Sequence, residues 1–392
     1  MKYFVLLFLL TAGLQAFAQP KIDVKKQLTI AAQQYKGMLA EFQDPKWFPQ
    51  SVNKDGTSRK MTSDWWCSGF FAGSLWYLAD YTKDADLKTG AVKWTNALEK
   101  EQFNTGTHDL GFMLYCSYGN GYRLTKNEAY KPILLKGAES LSTRFDPKVG
   151  VIKSWDTFDG YNYPVIIDNM MNLEFLFWAT KVSGNEKYRD ISITHADNTL
   201  KNHFRSDNSS YHVVAYDSVG NVLAKKTAQG AADNSAWARG QAWGLYGYTV
   251  MYRETKMKRY LDQAVKIAEF YTNHPNMPAD KVPYWDFNAP NIPNEERDAS
   301  AAAISSSALL ELSGYVKKEA GKKYKTFAEA TLVSLSGPEY FAASGNNNFI
   351  LKHSTGHKPN KSEIDTPIIY ADYYYIEALL RYDALNKKVV KN

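Results

Sequence analysis

The chain has 392 residues, of which 44% are hydrophobic and 22% charged, and this ordinary globular balance excludes wholesale disorder. Its 24 Gly, 14 Pro and 2 Cys exclude collagen-like and disulfide-framework classes, and a mild net charge of +6, spread along the chain, lacks the dense basic tract of a nucleic-acid binder. The unusual quantity is the aromatic fraction, 14%: so many rings cannot all be fully buried, and surplus Trp and Tyr often line carbohydrate sites.

In chain order, Lys2 precedes a short apolar run from Phe4 to Leu10 and then Ala16-Phe17-Ala18 before Gln19. That pattern predicts a secretory signal peptide over 1–18, with 19–392 forming one exported, periplasmic domain. No Cys follows the cleavage site and no later stretch reaches transmembrane length, so no membrane anchor is expected. Apolar residues at helical spacing then mark about twelve segments, near 22–43, 68–82, 84–102, 109–124, 128–144, 166–183, 186–203, 236–255, 257–273, 297–317, 321–337 and 367–386. Between them, 145–165 and 204–235 read as irregular, and Tyr211–Asp217 with Gly220–Leu223 reads as a small β-hairpin. Cys67 and Cys116 both sit in apolar surroundings, and separately buried thiols fit as well as a bridge, so no disulfide is predicted.

The helices alternate in character. One set is crowded with aromatic and small residues, as in Gly69-Phe70-Phe71-Ala72-Gly73 and Gly240-Gln241-Ala242-Trp243-Gly244. The other is amphipathic and Lys-rich, with Tyr130, Tyr188 and Tyr260 each followed eight residues later by Ala. These tyrosines recur at roughly the spacing of one helical hairpin unit. Six hairpins with a buried inner and a polar outer helix describe an all-α fold, an (α/α)6 toroid, with the β-hairpin in a loop at its mouth; an open α-solenoid is the alternative. In a toroid, the loops entering the inner helices converge, so site residues are expected at inner-helix starts.

Zinc-protease, phosphate-loop and dinucleotide fingerprints are absent, as is a nucleophile elbow. What remains is polar. Asp109, in His108-Asp109-Leu110-Gly111-Phe112, stands at a helix start, where Asp most often serves as an N-cap. Asp168 lies between the apolar runs Val165-Ile166-Ile167 and Met170-Met171. Enclosure of that kind disfavours the charged form and raises a carboxyl pKa, which is what a general acid near neutral pH requires. Trp237 and Trp243 could flank a sugar ring if a helix begins between them, and Arg239 offers a fork suited to a carboxylate.

Together, Trp66-x-x-Gly69-Phe70-x-x-Gly73, His108-Asp109-x-Gly111-Phe112, Asp168-x-x-x-Asn172-Leu173, Ser210-x-His212, Gln229-Gly230 and Trp237-x-Arg239-Gly240-Gln241-x-Trp243 resemble the unsaturated glucuronyl hydrolases, glycoside hydrolase family 88. The motifs recur in order over 60–385. The resemblance implies an (α/α)6 barrel acting, without metal or organic cofactor, on anionic oligosaccharides that carry a 4-deoxy-4,5-unsaturated uronic acid. It implies Asp168 as acid/base and Asp109 as a second essential carboxylate. It also implies His212, Gln229, Trp237, Arg239 and Trp243 as substrate contacts, with Trp66 as an aromatic wall. One departure is Ala228, where many members would carry His. The reaction implied is hydration of C4=C5 and loss of the glycosidic bond, with glycosaminoglycan disaccharides as substrates; an unsaturated rhamnogalacturonyl hydrolase, a sugar epimerase and an exported sugar-binding protein are the alternatives. His353, His357, Lys358 and Lys361, just before the last inner helix, are expected at the mouth as cations for a sulfate or carboxylate.

Overall fold

The computed structural model describes residues 22–390, so the expected signal peptide lies outside the described residues. Outer helices are α1 (Val24–Glu41), α3 (Ala85–Asn96), α5 (Tyr130–Ser142), α7 (Lys187–Asn202), α9 (Lys258–Asn273) and α11 (Lys318–Leu335). Inner helices are α2 (Ser68–Thr82), α4 (Asn120–Thr125) with a π-helical stretch before it, α6 (Leu173–Ser183) with a 3₁₀ turn before it, α8 (Ala238–Thr255), α10 (Ala299–Leu312) and α12 (Ile369–Val390). Each inner element packs on the next, and α12 returns to α2, which closes the ring. Among the described residues this is an (α/α)6 barrel of six inner and six outer helical segments.

The alternation read in the sequence has its physical counterpart here. In α10 every residue except Glu311 is buried, because its Ala and Ser side chains let neighbouring helices approach closely on all sides. In α9 burial is confined to one stripe, Tyr260, Gln263, Ala264, Ile267, Ala268 and Tyr271. Gly69 shows how tight the inner ring is: a Cβ there would sit 2.1 Å from the Phe112 carbonyl oxygen.

Two inner segments differ from the uninterrupted helices expected. Over 109–124 the chain forms a π-helical stretch, Gly111–Gly119, before α4. Over 166–183 the chain leaves a short strand at Ile166 and makes a 3₁₀ turn, Ile167–Asn172, before α6. The β-branched run Val165-Ile166 is extended because it pairs with a strand from the later irregular stretch, a partner that local periodicity does not reveal. Two hairpins escaped the sequence reading, β1 (Phe48–Val52) with β2 (Ser58–Met61) and β3 (Phe145–Asp146) with β4 (Val151–Ile152). The expected hairpin is present as β6 (Val213–Tyr216) and β7 (Val222–Lys226), and β5 (Pro164–Ile166) makes it a three-stranded sheet. Val149, Val151, Val165, Val214 and Tyr216 form a small core of their own beneath it. Cys67 and Cys116 are unpaired.

Candidate active site

Register places the two acids. The pairing of Ile166 with Val213 ends β5 at the barrel mouth, and the 3₁₀ turn that follows sets Asp168 inward, 7% exposed. One residue on, Asn169 Nδ2 donates to the Ile152 carbonyl (2.6 Å) and to Ser154 Oγ (3.1 Å), tying the turn to β4. Asn172 Oδ1 accepts the Gly111 N–H at 2.8 Å, and a Cβ on Gly111 would lie 2.5 Å from that same oxygen. The Asp109 and Asp168 segments are thereby locked to one another. Asp109 does not act as an N-cap: no side chain caps the π-helical stretch, and the Asp109 carboxyl accepts instead from the Thr107 hydroxyl at 3.1 Å.

Both carboxyls are pushed up to about 7. For Asp168 the main cause is burial, which the Arg239 charge opposes and the Asp109 charge reinforces. For Asp109 it is also burial, opposed by the Thr107 hydroxyl and the Arg144 charge. Asp168 Oδ2 has no hydrogen-bond partner, and His212 Nε2, His108 Nε2 and Trp243 Nε1 are likewise buried and unpartnered. Three such nitrogens around two carboxyls, and one bare oxygen on the carboxyls themselves, are costly in a folded interior and mark a place prepared for a polar ligand.

The irregular stretch before α8 delivers the histidine. His212 Nδ1 accepts the backbone N–H groups of Ala228 (3.1 Å) and Gln229 (3.2 Å), so its Nε2 faces Asp168 Oδ2 at 3.7 Å. The Ala228 departure therefore leaves this contact intact, since only its backbone is used. Gln241 holds the same segment, accepting the Ser210 N–H at 2.9 Å and donating to Ser210 Oγ at 3.0 Å. Gln229 Nε2 donates to the Gly356 carbonyl at 3.0 Å, which joins this stretch to the loop before α12.

The aromatic residues assemble with differences from expectation. Helix α8 begins at Ala238, directly after Trp237, whose ring lies 4.6 Å from that of His212. Trp243 is fully buried between Phe112 (5.2 Å) and Tyr374 (5.4 Å), so it is floor rather than a second open wall; its indole Nε1–H lies close enough to Asp168 to favour the carboxylate. Trp66, half-buried, packs on Phe112 and on Tyr370 (5.0 Å). Arg239 is not the open fork expected. Its Nη1 donates to Asp298 (2.9 Å) and to the Thr355 carbonyl (2.6 Å), and Nη2 donates to the Gly356 carbonyl (2.6 Å). What it gives the pocket is positive charge.

The cations expected in the loop before α12 are also largely spoken for. Lys358 is held by Glu295 and Glu296, and His353 pairs with Asp365 at 2.6 Å. Lys361 is exposed, and His357, half-buried, lies within electrostatic reach of His212 and Arg239. Sequence reasoning passed over Trp155, whose ring stands edge-on to His212 at 6.0 Å, and Tyr370, which lies under Arg239 at 5.3 Å. The only signal for Trp155 was an aromatic in a mouth loop; Tyr370 had none beyond its inner helix. His108 precedes Asp109 in its motif, and nothing local in the sequence announces a role for it. Among the described residues no group of three or more His, Cys, Asp or Glu side chains is arranged to hold a metal ion.

A family model described as Glycosyl Hydrolase Family 88 matches residues 43–386. The chain is 44% identical, over 97% of its length and 97% of the relative's, to an unsaturated glucuronyl hydrolase of Formosa agariphila. It is 32% identical, over 92% of each chain, to an unsaturated chondroitin disaccharide hydrolase of Streptococcus agalactiae. Among solved structures, an unsaturated glucuronyl hydrolase specific for heparin superposes with a TM-score of 0.90 at 51% identity, covering 93% of this chain and 98% of that one.

Proposed function

The chain belongs to Glycosyl Hydrolase Family 88, and on that premise we propose that it is an unsaturated glucuronyl hydrolase that hydrates the C4=C5 bond of the unsaturated uronic acid ending lyase-generated oligosaccharides. The observation that carries the mechanism is the pair of enclosed carboxyls, both raised to about 7, beside three unpartnered ring nitrogens.

The substrate end is a vinyl ether. Asp168 in its acid form gives its proton to C4, and the C4=C5 π electrons form the new C–H bond, leaving an oxocarbenium centre at C5 and the ring oxygen. Water adds at C5 and surrenders a proton to the Asp168 carboxylate, which restores the acid. The C5 hemiketal opens to a ketone, and the acetal at C1, now a hemiacetal, expels the neighbouring sugar. A single carboxyl serves as acid and then base, unlike the two-carboxyl displacement at an anomeric carbon. Acid catalysis of this kind contributes about 10²–10⁴-fold. His212 Nε2–H and the Arg239 charge favour the carboxylate after proton transfer, and Asp109 sits where sugar hydroxyls would meet it.

The substrates are glycosaminoglycan disaccharides, a reading supported by relatives described as specific for heparin or for chondroitin disaccharides. A panel of unsaturated disaccharides from chondroitin, hyaluronan, heparin and pectin, followed by loss of ultraviolet absorbance, tests it; preference for pectin fragments overturns the substrate class. Asp168→Asn should abolish turnover with far-UV circular dichroism unchanged, and turnover in heavy water should place deuterium at C4. Wild-type rates in that variant would remove Asp168 from the mechanism. Export is part of the same proposal, supported by the leader-like pattern in residues 1–18. Mature material beginning near Gln19 in a periplasmic fraction tests that part.

A further inference from the structure

His108 stands at the site, and its hydrogen bonds determine which ring nitrogen carries the proton. Nδ1 lies 3.0 Å from the Ser154 carbonyl oxygen. A carbonyl only accepts, so Nδ1 holds the hydrogen. Burial and the Arg144 charge push the ring down to about 3, so it is neutral. Nε2 is therefore a bare lone pair; it is buried, unpartnered and 3.2 Å from Asp109 Oδ1.

An ionised Asp109 would set an anionic oxygen against that lone pair, whereas a protonated one can turn its hydrogen toward it. The other oxygen, Oδ2, already accepts from the Thr107 hydroxyl. Asp109 thus meets one donor and one acceptor, the surroundings of a carboxylic acid rather than of a carboxylate. His212 is the converse. Its Nδ1 accepts two backbone N–H groups, so its Nε2 carries the hydrogen that faces Asp168. The two histidines are fixed in opposite tautomers by backbone groups outside the pocket.

We propose that His108 is a positioning residue that holds Asp109 in its acid form, leaving Asp168 as the one carboxyl of the pair that gives up and regains a proton. The second half rests on the mechanism above; the first does not. Of the groups that face Asp109, Arg144 favours the carboxylate, but its Nη2 is tied to the Ser154 carbonyl. Asp168 across the pocket and the Cys67 thiol from the start of α2 are within electrostatic reach of Asp109, and a charge on either would favour the acid. Around His108, the other rings within reach are His195 and His212, both neutral through burial. With Asp168 in its acid form, an uncharged Asp109 also lets a sugar carboxylate enter a pocket free of a fixed carboxylate charge.

The test is carboxyl ¹³C NMR of the full chain labelled at aspartate, with Asp109→Asn identifying the resonance. In the wild type the Asp109 carboxyl should still be protonated at about pH 6. In His108→Asn the shorter amide can still donate to Ser154 but offers no acceptor to Asp109, and the midpoint should fall by about one pH unit or more. His108→Gln, whose amide reaches the Nε2 position, should recover part of that shift. An ionised Asp109 at that pH in the wild type overturns the proposal, and so does an unmoved midpoint in a folded His108→Asn. The titration uses resting protein without substrate, so a failed substrate panel and a failed proton assignment are told apart.

Discussion

Asp168 and Asp109 are acids that the folded chain keeps largely from water without an ion-paired lysine or arginine in contact, and both titrate near 7 as a result. Unfolded, they would titrate near ~3.9. The native state therefore binds these protons more tightly, so their contribution to stability is fully present below about pH 4 and is lost as pH rises through about 7. Asp168→Asn should accordingly stabilise the protein at about pH 8, by ~1–3 kcal/mol, and leave it nearly unchanged at about pH 4. Calorimetric melting at both pH values checks this; an equal shift at both would mean the carboxyl is not raised. The rate follows the same proton: kcat/KM should fall as pH rises through about 7, because the acid form of Asp168 starts the reaction. Lys358 belongs at this scale too. Since Glu295 and Glu296 hold it over the Trp285 ring, Lys358→Ala should leave the ratio of sulfated to unsulfated turnover unchanged. A selective loss of sulfated substrate would show that the lysine is released to meet it.

At the scale of elements, the site depends on how closely two inner segments approach their neighbours. Gly69 in α2 faces the Phe112 and Met113 carbonyls, which are backbone and cannot swing aside. Gly69→Ala should therefore cost about 1–3 kcal/mol, seen as a lower urea midpoint, through a displaced π-helical stretch. Asn172 links that stretch to the 3₁₀ turn carrying Asp168. Asn172→Ala leaves the buried Gly111 N–H without an acceptor, a loss of about 1–3 kcal/mol. It should also lower kcat more than it raises KM, since the two carboxyls lose their common brace. A purely destabilising effect, with kcat per folded molecule unchanged, would argue that the link is structural only.

Across the whole molecule, the active mouth and the far end of the barrel separate stability from catalysis. Toward the C-terminal ends of α8 and α10, Arg253 bridges Glu174 and Glu311, and Arg381 joins Glu311 (2.9 Å) to Glu377 (3.4 Å); Glu174, Glu377 and Arg381 line a cavity of about 430 Å³ together with Tyr246 and Tyr373. These side chains draw on α6, α8, α10 and α12, so the network clamps four inner helices at once. Arg253→Met leaves Glu174 and Glu311 short of a partner and should destabilise by about 1–3 kcal/mol, given their partial exposure. The KM of the folded fraction should stay at the wild-type value, and a changed KM would couple the far end to the mouth.

Helix number, the inner and outer alternation and the acids at inner-helix starts were legible in the sequence. Each is written in local order, as a period of apolar residues, as small and aromatic crowding, or as a charged residue beside an apolar run. Resemblance added the family and the roles of the aligned motifs. Arg239 and Lys358 read as free cations because nothing local announces Asp298, Glu295 or Glu296 as their partners. Asp109 read as an N-cap because the sequence does not show that its helix starts as a π-helical turn braced by Asn172. Strand β5 read as the end of an irregular stretch, with Ile166 as a helix start, because its partner lies nearly fifty residues later in the chain. Propensity and periodicity act between neighbours along the chain, whereas ion pairs, strand pairing and tautomers are settled by groups that only the closed barrel brings within a few ångströms.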